Sequence, residues 1–125
     1  MEYKLTIPFV LPGLNEAILK ARSGPHAGAK HKREWQSDLH WLILMQLPNV
    51  AISGPVTISY HWVEPSRRRD KDNISGYGRK LIQDALVKAG VLKNDGWNDI
   101  VNSYDSYGID RKHPRIEVTI CEVAE

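Results

Sequence analysis

Cysteine is nearly absent from this 125-residue chain, where Cys121 stands alone, so an intramolecular disulfide is excluded and dithiol redox chemistry with it. Its place in a late apolar strand reads as a buried structural thiol rather than a nucleophile. Long apolar runs are missing too. The longest unbroken one, Trp41–Met45, is far short of the roughly 20 residues that a bilayer-spanning helix needs. The N-terminus alternates polar and apolar residues instead of carrying a signal-peptide core, so a cytoplasmic protein without membrane contact is expected. There is no repeat and no low-complexity segment. His26, His31, His40, His61 and His113 show neither an HExxH pattern nor paired zinc spacing, and zinc is not expected. Nor is there a strong charge of one sign: a net +2 does not by itself announce nucleic-acid binding, which leaves the distribution of charge to decide.

The 42% apolar content suits one domain, residues 1–125, burying roughly two thirds of its unfolded surface. Tyr3, Leu5, Ile7 and Phe9 alternate with polar neighbours as a half-buried strand would. Residues 11–28, punctuated by Pro12, Gly13, Gly24, Pro25 and Gly28, read as a loop, a functional arm or a short helix near Asn15–Leu19 carrying Lys20 and Arg22. From Ala29 to about Gln46 the period is helical, with Trp35, Leu39, Leu42, Ile43 and Gln46 on one stripe. Trp41 and Leu44 fall outside it and widen the apolar arc, which fits either a helix packed between sheet and loop or one that buries Trp41 against a second subunit.

A second strand follows Gly54-Pro55, with Val56, Ile58, Tyr60 and Trp62 on one face. Asn73 is a plausible N-cap for a helix burying Tyr77, Leu81, Ile82, Ala85, Leu86 and Ala89, and Gly90 ends it. Beyond the turn at Asn94-Asp95-Gly96-Trp97, strands are expected around Ile100–Ile109 and through Ile116, Val118 and Ile120. Asp110–Pro114 would form the hairpin between them. The order β-α-β-α-β-β makes an α+β fold, a small mixed sheet of about four strands with two main helices.

Positive charge comes in clusters: Lys30, Lys32 and Arg33, then Arg67, Arg68 and Arg69, then Arg79 and Lys80. Between the last two stands Asp70-Lys71-Asp72-Asn73. In an extended segment Asp70 and Asp72 would project from one face and could share a hard divalent cation, while the guanidinium forks match phosphate oxygens. A surface turn in which Asp and Arg neutralise one another is the plain alternative. Likewise Lys80 reads as an i,i+4 partner of Asp84 when judged alone. Asp99 and Asp105 could extend the acidic cluster but read rather as exposed turn or strand-edge carboxylates, and Trp97 either caps the core or stacks on an unpaired base.

The order of motifs between residues 67 and 95 resembles the RusA-type Holliday-junction resolvases, a family of small, often phage-encoded endonucleases. The resemblance lies in Arg67-Arg68-Arg69-Asp70-Lys71-Asp72-Asn73, then Arg79-Lys80, then Asp84-Ala85-Leu86 with Lys88-Ala89-Gly90, then Asn94-Asp95, together with Leu5-Thr6-Ile7-Pro8, Pro12 and Asn15. It implies a Mg²⁺-dependent endodeoxyribonuclease, with Mn²⁺ able to substitute, that acts as a homodimer on four-way DNA junctions. Asp70, Asp72 and Asp95 would be the metal-binding catalytic aspartates and Lys80 the catalytic lysine. Compact members have fewer residues between Asn73 and that lysine, so Lys80 is placed by counting back from Asp84, with Arg79 as its competitor. Lys30, Lys32, Arg33, Arg67, Arg68, Arg69 and Arg79 would line the DNA path. Asn94 stands where some relatives carry a further aspartate. Flaps, forks and a noncatalytic nucleic-acid-binding role are the other functions compatible with these residues.

Overall fold

The computed structural model describes residues 1–123. Its elements are β1 (Glu2–Ile7), α1 (Leu14–Arg22), α2 (Ala27–Gln46), β2 (Val56–Glu64), α3 (Lys71–Lys88), β3 (Ile100–Ile109) and β4 (Arg115–Glu122). The strands form one mixed sheet in the order β1-β4-β2-β3, with β2 parallel to β3 and β4 antiparallel to both β1 and β2. The fold is α+β, and the expected arm contains the additional helix α1.

Period-two patterning gives the sheet one buried face. Leu5 and Ile7 from β1, Ile58, Tyr60 and Trp62 from β2, and Ile116, Val118 and Ile120 from β4 meet Leu39 and Ile43 of α2 and Leu81, Ile82, Ala85 and Leu86 of α3. Gly78 permits a close approach of α3 to the sheet, since a Cβ there would stand 3.0 Å from the Trp62 ring. Gly90, at φ +83°, adopts the left-handed conformation that closes α3.

Three expectations about local structure change. Asn73 does not cap α3, which begins at Lys71 behind Asp70; instead its Oδ1 accepts a 2.9 Å hydrogen bond from the Asn15 backbone N–H and satisfies the start of α1. Residues 110–114 are not a hairpin, because β2 lies between β3 and β4. The connection passes over the end of β2, where the Asp110 N–H donates to the Glu64 carbonyl at 2.9 Å. Cys121 is half-buried on the outer face of the sheet, not in the core.

The sheet's two edges differ. On β1 the Gln46 side-chain amide donates to the Thr6 carbonyl and its oxygen accepts from the Thr6 N–H, both at 2.7 Å. Gln46 thus uses its place on the helical stripe to cover an edge, not to fill the core. Along β3 the outer edge pairs with no other strand of the described chain, and Val101, Tyr104 and Ile109 are exposed.

Candidate active site

The site is built where β2 hands over to α3. Glu64, the last residue of β2, is 5% exposed, and an uncompensated carboxylate there would be costly. Arg69 Nε and Nη2 donate to its two oxygens at 2.8 Å each, and Nη1 donates to the Leu11 carbonyl at 3.0 Å. This fork folds residues 65–69 back onto the sheet and fixes Asp70 immediately after it. Arg69, expected on the DNA path, spends its guanidinium donors on Glu64 and the Leu11 carbonyl and so acts as a structural anchor at the wall of the cleft.

Asp70 and Asp72 lie around the first turn of α3, not along a strand, so the alternating geometry expected of an extended segment does not apply. Asp70 occupies the N-cap position with extended backbone (φ −68°, ψ 154°), yet its carboxylate caps nothing. Among the described residues, neither Asp70 nor Asp72 has an ion-pair partner, and both are exposed. An aspartate at an N-cap ordinarily spends its oxygen on the helix's own N–H groups. Here that oxygen stays available while the helix N-terminus favours its negative charge.

Both carboxylates line a cleft of about 980 Å³ between the 64–69 segment, the start of α3 and the end of β3. Arg67 and Lys71 supply positive charge there, and Ser106 to Ile109 form the opposite wall. The Lys71 ammonium stands 5.4 Å from the Tyr107 ring centroid. The Tyr107 hydroxyl is 3.0 Å from Ser75 Oγ, which also donates to the Lys71 carbonyl at 3.1 Å.

Asp95 lies elsewhere in the chain's fold. Lys80 Nζ reaches Asp95 Oδ2 at 3.1 Å and Asp84 Oδ1 at 3.0 Å, and Lys32 Nζ reaches Asp84 Oδ2 at 3.0 Å. Hydrogen bonds donated to Asp84, then to Asp95, hold Lys80 above its ordinary pKa. Burial pushes Asp84 up, but the hydrogen bonds from Lys80 and Lys32 outweigh it and leave the carboxyl below its usual value. At about 1.5 Å of rise per residue, Lys80 is about 12 Å and Asp84 about 18 Å along the helix from Asp72. No group of three metal-ligating side chains converges among the described residues. The expectation that the three aspartates meet thus fails within a single chain, because Asp95 sits beside the middle of α3 and not at its start.

The donor set still suits magnesium: two unpaired carboxylates in a basic cleft match an ion held by one or two carboxylates, its own waters and substrate phosphate. Of the remaining basic residues, Lys30, Arg33, Arg67 and Arg68 are exposed and without carboxylate partners among the described residues. Lys32 is partly neutralised by Asp84. Arg79, also expected on the DNA path, is engaged within the chain: its Nη2 donates to Asp105 Oδ2 while Asp105 Oδ1 accepts from Trp62 Nε1 at 2.9 Å. Asp105, exposed on the edge strand as expected, also joins β3 to β2 and α3. Its alternation in phase with Tyr107 was the signal for this. Trp97 is 93% exposed and caps no core.

No curated protein matches the chain. The family described as Endodeoxyribonuclease RusA matches residues 14–121, a span that contains the cleft, α3 and the Asp95 turn. Carried by that match over nearly its whole length, the chain belongs to the RusA endodeoxyribonuclease family.

Proposed function

We propose that the protein is a Mg²⁺-dependent endonuclease that resolves Holliday junctions as a homodimer. The observation that carries this reading is the pair of unpartnered carboxylates, Asp70 and Asp72, facing a cleft that also holds Arg67 and Lys71. Asp70 and Asp72 would hold the cation, which in this chemistry neutralises phosphate charge and acidifies a bound water. Arg67 and Arg68 orient the phosphodiester at the rim, and Lys30 and Arg33 extend the path for a junction arm.

Asp95 enters the site only from a second copy, and the open edge of β3 suggests how. Two β3 strands paired antiparallel about a twofold axis near Tyr104 and Asp105 would set the start of one strand beside the end of the other. Each copy's Asp95 turn would then approach the partner's cleft, at the Ser106–Ile109 end of that strand. Lys80, bound to Asp95, would travel with it. A four-way junction offers two nearly equivalent strands, and a twofold dimer offers a site for each. The exposed Trp41 and Leu44 of α2 are not required for this contact.

Incubating labelled four-way junctions, flaps and forks with Mg²⁺ or with chelator tests the reading. The parent protein is expected to cut junctions in Mg²⁺ alone, and Asp72→Asn to bind them without cutting. Equal cutting by Asp72→Asn would remove the cation assignment, and preference for flaps or forks would replace the substrate.

A further inference from the structure

We propose that Lys71 is a catalytic residue: its ammonium contacts the scissile phosphate in the same cleft, and same protomer, as Asp70 and Asp72. Given a cation on that pair, as proposed above, the reacting phosphate must lie against the first turn of α3. Lys80 of the same chain is about 12 Å away along the helix and is engaged by two carboxylates. The position one turn after Asp72 is Gly76, which has no side chain to offer. Arg69 is spent on Glu64. Lys71 and Arg67 are thus the cationic groups lining the cleft that have no carboxylate partner among the described residues.

Lys71 is also the better placed of the two. Its ammonium is held over the Tyr107 ring at 5.4 Å, and Ser75 fixes that ring by its hydroxyl while holding the Lys71 carbonyl. The ring face attracts the ammonium without removing its charge or occupying its N–H donors as a carboxylate would. A fixed cation with free donors can stabilise negative charge developing on phosphate oxygens with little rearrangement. Tyr107 acts as a positioning residue in this arrangement, working through Lys71.

The test compares Lys71→Met, Lys71→Arg and Lys80→Met with the parent by single-turnover junction cleavage in Mg²⁺ and by junction binding in chelator across a salt series. Lys71→Met should cut about 10²–10³-fold more slowly while melting at the parent's temperature, and Lys71→Arg should recover much of the rate. Without metal, the slope of log affinity against log salt should fall in magnitude by about 0.7–0.9 for the one lost phosphate contact. Parent-like cleavage and an unchanged slope for Lys71→Met would overturn the proposal, whatever Lys80→Met does. If the parent cuts no junction, the nuclease reading fails separately. The salt slope then decides whether Lys71 meets phosphate at all, an unchanged slope again overturning the proposal.

Discussion

The start and the middle of α3 carry similar side chains in opposite circumstances. At the middle, Lys80, Asp84, Asp95 and Lys32 neutralise one another through contacts of 3.0–3.1 Å. At the start, Asp70 and Asp72 face a cleft with no ion-pair partner among the described residues, and the guanidinium of Arg69, the residue just before Asp70, is engaged by Glu64. Compensated charge fixes those side chains in place within one chain. Uncompensated charge of both signs in one cleft is what the proposed cation and phosphate would meet. The contrast also separates two kinds of arginine within one run of three: Arg69 is architecture, whereas Arg67 and Arg68 are free to meet a substrate.

The sharpest way to break this comparison is to neutralise one free carboxylate. Asp72→Asn should lower single-turnover cleavage by on the order of 10³-fold, equivalent to the several kcal/mol that a catalytic metal supplies, with junction affinity retained in a gel-shift titration. The converse change, at a compensated group, should strike folding first. Arg69→Met strands the buried Glu64 and is expected to cost about 3 kcal/mol, read as a lower urea midpoint at an unchanged slope. Gly78→Ala pushes a methyl against the Trp62 ring and should cost about 1–3 kcal/mol by overpacking. It leaves the cleft residues in place.

The smallest effect sharpens the comparison through pH. Asp84 has its pKa lowered in the folded protein, so its contribution to stability is present above its ordinary value of 3.8 and is lost as pH falls through the lowered folded value. The stability gap between the parent and Asp84→Asn should therefore narrow over that acidic interval, measured by denaturation at a series of pH values. A gap that widened on acidification would show that Asp84 is not stabilised as a carboxylate by Lys80 and Lys32.

Much of this was written locally in the sequence. The alternation in β2 and β4 and the 3.6-residue period in α3 reported the buried faces, and Gly90 reported the end of α3. The Asp70–Asp72 pair was visible because both members are close in sequence. Strand order was not visible: the short 110–114 connection looks like a hairpin, and only the sheet shows β2 standing between its ends. The locked state of Arg69 and Arg79 depended on Glu64 and Asp105, one at a strand end and one on another strand, and a run of basic residues does not reveal which member turns inward. The position of Asp95 beside the middle of α3 was hidden for a similar reason, since sequence distance alone cannot say at which level of a helix a returning turn will settle.

The composite site is tested most directly by mixing two inactive chains. Asp72→Asn and Asp95→Asn should each fail as homodimers, yet dimers formed by co-expressing them should regain cleavage, because one of their two sites would pair an intact Asp70–Asp72 cleft with an intact Asp95 of the partner subunit. Junctions nicked in one strand are the predicted product. Mixed dimers, confirmed by mass, that remain as inactive as either parent variant would show that the aspartates do not act across the β3 edge.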